Sequence, residues 1–300
     1  MKVLVTGGTG FIGHHLCQRL CGDGSEVHAT SRQAQKHIRG GPVWWQANMA
    51  ELGEARRIFT AVAPRVVFHL AGSVGARPDL DLVLPTYHSL LTSTINVLLM
   101  AAETGCSRVI LASSFTEPVF GKDDGIPKSP YAAAKWASSV YGRMFYSLYQ
   151  TPVVLLRPFM AYGPAQAPSK LVPSVINSLL KGEAPRLSSG RVKADWVYIA
   201  DVIDAFVSAA TLPGIEGASF DLGTGELTSI RAVVEQIMQE VGAGIEPMFG
   251  ALPDRPDENE VAAPTGPAAE QLKWRAITSL ENGVRQTVQW YKAQRDMGED

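Results

Sequence analysis

Tyr131 and Lys135 stand four residues apart in the run Tyr131-Ala132-Ala133-Ala134-Lys135, a spacing that puts both side chains on one face of a helix. A phenol titrates near ~10 in water and carries protons poorly at neutral pH. A neighbouring ammonium favours the phenolate and brings it into working range. The pair is therefore a candidate proton relay. Ser113-Ser114 end an apolar run shortly before it, and Ser114 is the expected hydroxyl that orients a substrate oxygen, with Ser113 and Thr116 as competitors. A tyrosine and a lysine so spaced occur by chance in many helices, so the relay is judged by its surroundings.

Those surroundings begin at the N-terminus. Thr6-Gly7-Gly8-Thr9-Gly10-Phe11-Ile12-Gly13 follows one apolar run and opens a helical pattern. Gly7, Gly10 and Gly13 hold the spacing of a dinucleotide-binding turn: one glycine for the tight turn, one that lets backbone approach a pyrophosphate, one that packs helix on strand. Phe11 and Ile12 join the expected cofactor set. The second β-rich run ends Thr30-Ser31-Arg32. Ser31 occupies the place where NAD enzymes usually carry an acid for the ribose hydroxyls, and Arg32 can lay its guanidinium on a 2′-phosphate. NADP is therefore the expected cofactor, with NAD as the alternative. Asn48 ends the third run, where its amide could meet the adenine edge, and Met49 follows it in the expected cofactor set. Leu70, Ala71 and Gly72 end the fourth beneath the nicotinamide ribose, which Lys135 can also reach, and Pro158 completes the set. His69 is read as a satisfied strand-end histidine, not a catalyst.

The elements that must position these groups alternate. Strand candidates are Lys2–Thr6, Glu26–Ser31, Val43–Asn48, Arg65–Leu70, Ser107–Ser114 and Pro152–Arg157. Helix candidates between them are Phe11–Cys21, Glu51–Val62, Thr86–Glu103 and Tyr131–Tyr149. Apolar runs such as Val66-Val67-Phe68 belong to strands covered on both faces. The expected fold class is α/β: a doubly wound Rossmann parallel sheet over residues 1–158, with a smaller interleaved C-terminal α/β substrate lobe over 159–300. In that lobe, helices are expected near Val172–Lys181 and Leu280–Gln294, and Ala262–Ala269 reads as a surface loop.

Composition narrows the class. Hydrophobic residues make up 46% of the 300, charged residues 19%, and the formal net charge is −2. Such a chain buries a sizeable core and has no general pull toward nucleic acid or acidic membrane. No secretory leader or membrane-spanning run is read, so a cytoplasmic enzyme is expected. Cys17, Cys21 and Cys106 have no metal-ligand spacing, and no metal is expected.

With these motifs the chain resembles the extended short-chain dehydrogenases/reductases, in the NAD(P)-dependent sugar-nucleotide epimerase/dehydratase/reductase group. The resemblance extends through Arg157-Pro158-Phe159, Tyr162-Gly163-Pro164, Asp195-Trp196-Val197-Tyr198-Ile199-Ala200-Asp201-Val202, Leu222-Gly223-Thr224-Gly225 and Arg255-Pro256-Asp257-Glu258. It implies a nucleotide-sugar substrate, Arg255 clamping its diphosphate, and Leu171, Val172 and Pro173 approaching the base. Tyr198 and Asp201 would fix the lobe junction. Met160 stands where the group usually has Asn near substrate. Ala194 stands where it usually has Arg, with Arg191 and Lys193 as substitutes. The resemblance also implies a homodimer paired through the two long helices, for which Leu91, Ile95, Leu98, Phe145, Tyr146 and Tyr149 supply apolar surface.

Three reactions share this machinery. Dehydratases of the group carry Thr-Asp-Glu after the fifth strand; here the run is Phe115-Thr116-Glu117-Pro118, and Glu117 is the candidate elimination base, with Asp123 and Asp124 read as solvated. The Thr30-Ser31-Arg32 end is similar to that of NADP-dependent 4-keto-6-deoxy-sugar reductases. The expected reaction is therefore reduction of a 4-keto sugar nucleotide with Tyr131 as proton donor; dehydration or epimerisation is the alternative. A non-catalytic dinucleotide-sensing module is the reading outside this class.

Overall fold

A computed structural model describes residues 1–75, 77–118, 125–254 and 260–297. In chain order the elements are β1 (Lys2–Thr6), α1 (Phe11–Gly22), β2 (Glu26–Ser31), β3 (Val43–Gln46), α2 (Leu52–Val62) and β4 (Val66–His69). A 3-10 turn (Leu80–Leu82), α3 (Val83–Thr86), a π-helical turn (Tyr87–Thr92) and α4 (Ser93–Thr104) run on continuously. Then come β5 (Arg108–Ala112), α5 (Pro130–Tyr149), β6 (Val153–Pro158), β7 (Met160–Tyr162), α6 (Leu171–Lys181), β8 (Lys193–Ala194) and β9 (Trp196–Tyr198). The chain finishes with α7 (Ile199–Thr211), β10 (Ser219–Leu222), β11 (Thr228–Ser229), α8 (Ile230–Val241), α9 (Thr265–Glu270) and α10 (Leu280–Asp296). Two units result: Met1–Pro158 with Ile203–Asp221 and Glu270–Trp274, and Phe159–Val202 with Leu222–Ala269 and Arg275–Asp300.

The first unit is built on a seven-stranded sheet in the order β10-β6-β5-β4-β1-β2-β3, and β1 to β6 pair in parallel. Parallel neighbours need long crossovers, which α1, α2, α4 and α5 supply. Strand order reverses between β1 and β4, so the carboxyl ends of those strands border the crevice where such sheets bind ligands. Helix α4 lies in the core: Val97, Leu98, Met100 and Ala101 pack with Ile58 and Phe59 of α2 and Phe145 of α5. The stretch Leu80–Thr104 is long and apolar enough to cross a membrane by length and composition, yet this packing gives its apolar side a place inside the unit. Leu98 and Phe145, expected at a dimer surface, are core residues at 0% and 4% exposure, and the Tyr146 ring lies against Gly217.

Helix α5 begins where its sequence dictates. Ser129 caps it by accepting from the Ala132 amide at 3.1 Å, and Pro130 takes the first turn, where no amide is needed. Tyr131 therefore sits in the first turn and Lys135 one turn further on.

In the second unit β7 pairs parallel with β9 and β8 antiparallel with β11. Asp195, 1% exposed, organises this unit. Its carboxylate accepts from the Thr224 amide and hydroxyl, both at 2.7 Å, and from the Gly225 and Ala263 amides, both at 2.9 Å. Asp201 accepts from the Thr278 amide and hydroxyl at 3.0 Å, and Tyr198 donates to Gln286 at 3.2 Å, which ties the start of α7 to the approach of α10. The expected loop over Ala262–Ala269 is corrected: Thr265–Glu270 is α9, with Ala263 and Ala268 buried. Pro267 lies in its first turn, where proline is compatible with a helix.

Candidate active site

The glycine turn closes β1 onto β4. Gly7 takes φ +73°, and a Cβ there would stand 2.8 Å from the Ala71 backbone; a Cβ on Gly13 would stand 2.2 Å from the Gly7 carbonyl oxygen. Only glycine allows these approaches. The Thr6 hydroxyl holds the other side by accepting from the Leu70 and Ala71 amides at 3.2 and 3.3 Å and donating to His69 Nδ1 at 2.7 Å. His69 Nε2 then donates to Thr94 at 3.1 Å, since the Thr94 proton goes to the Leu90 carbonyl. Burial, with the Lys135 charge adding to it, pushes His69 down to about 3. It stays neutral and serves the scaffold. Helix α1 opens at Gly10 with no side chain capping its N-terminus, the end of a helix that favours an anion, so Gly7, Gly10, half-buried Phe11 and Ile12, and Gly13 fit a pyrophosphate. Leu70, Ala71 and Gly72 line the opposite strand end.

At the end of β2, Ser31 is buried, and its oxygen accepts from the Gln33 amide at 3.2 Å and Gln35 Nε2 at 3.4 Å. Arg32 is exposed, and Gln46 holds its carbonyl at 3.3 Å. Asn48 is exposed and accepts from the Ala50 amide at 3.2 Å. Met49 differs from expectation: its side chain is 3% exposed within the core, and its carbonyl accepts from Asn96. It can offer a cofactor backbone only. Pro158 is buried at the end of β6.

The candidate relay stands on α5 and the segment after β5. Lys135 Nζ donates to the Ala112 carbonyl at 2.6 Å and lies 6.0 Å from the centroid of the Tyr131 ring. Burial pushes Lys135 down to about 8, and the Glu117 charge opposes that fall. Tyr131 is held above the ordinary phenol range by burial; a hydrogen bond with Ser114 pulls it down, and the Glu117 charge pushes it up. The expected lowering of the phenol by Lys135 is not found: burial raises it, and the downward pull comes from Ser114. Ser114 also stands 2.8 Å from the Thr116 hydroxyl and accepts from the Thr116 amide at 3.2 Å, so two of the three hydroxyls named for the substrate oxygen meet at this point, while that of Ser113 turns to Glu117.

Glu117 does not occupy the position of an open elimination base. It is 5% exposed, and its Oε1 accepts from the Ser113 hydroxyl, the Ser114 amide at 3.0 Å and the Ser139 hydroxyl at 3.1 Å. Burial raises it, while these bonds and the Arg157 charge pull it back. Arg157 itself pairs with Asp221 at 2.8 Å. Asp123 and Asp124 lie outside the described residues.

The second unit holds the other candidates. Met160 is exposed on β7, and Arg191 and Lys193 have exposed side chains. Leu171 is half-buried, but Val172, expected near a nucleotide base, is 1% exposed and packs inward. Position 172 is one residue into α6, whose inward stripe claims it. Arg255 lies outside the described residues. Three residues escaped the sequence reading: Thr6, the Ala112 carbonyl and Ser139. Ser139 was within reach, because Tyr131, Lys135 and Ser139 are spaced four apart along one helix face.

Residues 3–223 match the family described as NAD dependent epimerase/dehydratase family. The UDP-glucose 4-epimerase of Mycolicibacterium smegmatis is 30% identical over 97% of this chain and 99% of that protein. The dTDP-D-glucose 4,6-dehydratase of Mus musculus is 26% identical over 97% of this chain and 88% of that protein. Among solved structures, the Thermus thermophilus UDP-glucose 4-epimerase complex with NAD superposes with a TM-score of 0.85 at 27% identity, covering 97% of this chain and 99% of that one. A candidate relay of hydroxyl, phenol and lysine, a glycine turn that fits a dinucleotide and a match over this length agree: the chain belongs to the NAD-dependent epimerase/dehydratase family of sugar-nucleotide enzymes.

Proposed function

We propose that the protein is a nucleotide-sugar 4-epimerase, working on a UDP-hexose and returning its cofactor unchanged each cycle. The observation that carries this reading is the pairing of a complete relay with an engaged Glu117. Ser114, Tyr131 and Lys135 supply what reversible oxidation of a sugar hydroxyl needs, whereas elimination of water needs an added acid and base. Glu117 Oε1 is spent on three donors of its own neighbourhood. The relatives named above are epimerases and dehydratases, which moves the balance away from the reductase expected from sequence.

The residues act as follows. Ser114 orients the C4 hydroxyl by a hydrogen bond, and Tyr131 in its ionised form receives the hydroxyl proton. When bound, an oxidised nicotinamide supplies a hydride acceptor and a positive charge beside the phenol. Tyr131 then gives the proton back to the C4 oxygen after the sugar has presented its other face. Lys135, fixed by Ala112, holds positive charge on the phenol side at neutral pH and can meet a ribose hydroxyl. Nucleotide sugar is the partner this requires, and a cytoplasmic homodimer is the setting we favour.

A second reading rests on Arg32. Its exposed guanidinium, beside a β2 end without a carboxylate, favours NADP. A consumed NADPH would fit a 4-keto-sugar reductase. Incubation with UDP-glucose, UDP-galactose and a 4-keto-6-deoxy nucleotide sugar decides, with sugar stereochemistry followed by NMR and cofactor by absorbance. Interconversion of the C4 epimers without net cofactor loss is expected. Stoichiometric NADPH loss, or a product lighter by one water, overturns the epimerase reading.

A further inference from the structure

We infer that Glu117 is a positioning residue of the proton relay, a buried clamp whose single oxygen fixes the end of β5 against α5 and so sets where the Ser114 hydroxyl meets Tyr131. This rests on the reading of Tyr131 as the proton carrier.

Three donors from two elements converge on Glu117 Oε1: the Ser113 hydroxyl and Ser114 amide after β5, and the Ser139 hydroxyl on α5. The Ser113 and Ser139 oxygens are 2.9 Å apart. Each hydroxyl has one proton, and a carboxylate draws both, so the serine-serine approach is held by the acid and not by a bond of its own. With the Ser114 backbone pinned from this side, its side-chain oxygen is left for Tyr131 and Thr116. The Lys135 bond to Ala112 fixes the same two elements one step earlier. Glu117 and Lys135 thus brace the relay from both sides of the Ser113-Ser114 pair.

The charge of Glu117 is balanced locally. Lys135 on α5 and Arg157 on β6 face it with opposite sign, and Tyr131 faces it as a group whose ionised form it opposes. Asp221 on β10 takes up Arg157. A catalytic acid or base at 117 would have to leave this clamp, and with it the geometry of Ser114.

Three variants separate the possibilities. Glu117→Gln keeps an acceptor oxygen and removes the charge; Glu117→Ala removes both; Ser139→Ala removes one donor without touching the β5 end. The first readout needs no substrate: ionisation of Tyr131 by ultraviolet difference spectra, isolated by subtracting the Tyr131→Phe protein and limited to the pH range where circular dichroism shows a folded chain. Lys135 is already neutral where the phenol titrates, so loss of the Glu117 charge acts directly, and Glu117→Gln should move the phenol to lower pH. The second readout is turnover of the nucleotide sugar found for the wild type. Glu117→Gln should retain most of kcat, while Glu117→Ala, or Ser139→Ala should the former fail to fold, should lower kcat by about tenfold with KM unchanged. A Glu117→Gln protein as inactive as Glu117→Ala would make the carboxyl an acid-base catalyst and overturn the clamp. An unmoved phenol titration would also overturn it. A wild type inert toward every nucleotide sugar sinks the proposed function alone, because Ser139→Ala keeps the Glu117 charge, so a phenol moved to higher pH in that variant reports loss of the Ser114 contact and an unmoved one overturns the clamp.

Discussion

The ammonium of Lys135 lies 2.6 Å from the carbonyl oxygen of Ala112, so the lysine is tied to the sheet rather than to the phenol it serves. It is 9% exposed, and burial brings it down to about 8 from ~10.4 in an unfolded chain. Between those values the unfolded chain binds the extra proton, so stability rises with pH. The penalty is fully present below pH ~8 and is relieved on approach to ~10, on the order of 3 kcal/mol. The measurement is the unfolding free energy of wild type minus that of Lys135→Met at pH 7 and near pH 10. The difference should increase; a constant difference would mean that Lys135 keeps an ordinary affinity for its proton.

Tyr131→Phe should remove turnover while leaving cofactor affinity within severalfold. In the proposed cycle the phenol accepts and returns the proton, and it stands between the Ser114 hydroxyl and the Lys135 ammonium. Retention of more than about a tenth of kcat, roughly 1.4 kcal/mol of barrier, would assign the proton transfer elsewhere.

The elements that carry this chemistry were largely legible in sequence because their physics is local. A glycine turn between an apolar run and a helical one can do little else, and a helix capped at Ser129 and Pro130 fixes the face shared by Tyr131 and Lys135. What escaped depends on contacts between distant segments. Met49 and Val172 look available by position, but core packing claims both. The clamp on Glu117 needs Ser139, 22 residues away, to arrive across the unit. Thr265–Glu270 reads as loop by composition, yet Pro267 falls in a helix's first turn, where proline costs little.

Gly13→Ala should abolish cofactor binding or folding. Its new Cβ would stand 2.2 Å from the Gly7 carbonyl oxygen, backbone on both sides of the contact. Relief requires the turn to separate from α1, and overpacking of this kind costs about 1–3 kcal/mol. Thermal unfolding with and without NAD measures both effects. A variant with wild-type melting and wild-type NAD affinity would show that the turn is not held as described.

Ser31→Asp combined with Arg32→Ala should shift the cofactor ratio toward NAD. The change places a carboxylate for the ribose hydroxyls and removes the guanidinium proposed for a 2′-phosphate. Calorimetric dissociation constants for NAD and NADP on both proteins give the ratio. If it does not move, the end of β2 takes no part in choosing the cofactor.

Assembly gives the last prediction. Leu84 and Tyr87, ahead of α4, are 66% and 48% exposed, and Leu148 and Tyr149 at the end of α5 are 65% and 60% exposed. Leu91, Ala133 and Ala137 line a groove with Tyr87 on the same helices. Scattered apolar side chains on a surface are ordinary, but a stripe along two neighbouring helices leaves a face that water covers poorly. A two-fold pairing of that face with its own copy would bury it and steady the helix that bears Tyr131 and Lys135. The wild type should therefore be a dimer at micromolar concentration. Leu84→Glu with Leu148→Glu should produce a folded monomer, since charges brought together across the axis repel while the core residues Leu98 and Phe145 are untouched. Light scattering over a dilution series measures the mass of both proteins. A wild type that runs as a monomer at every concentration removes the dimer.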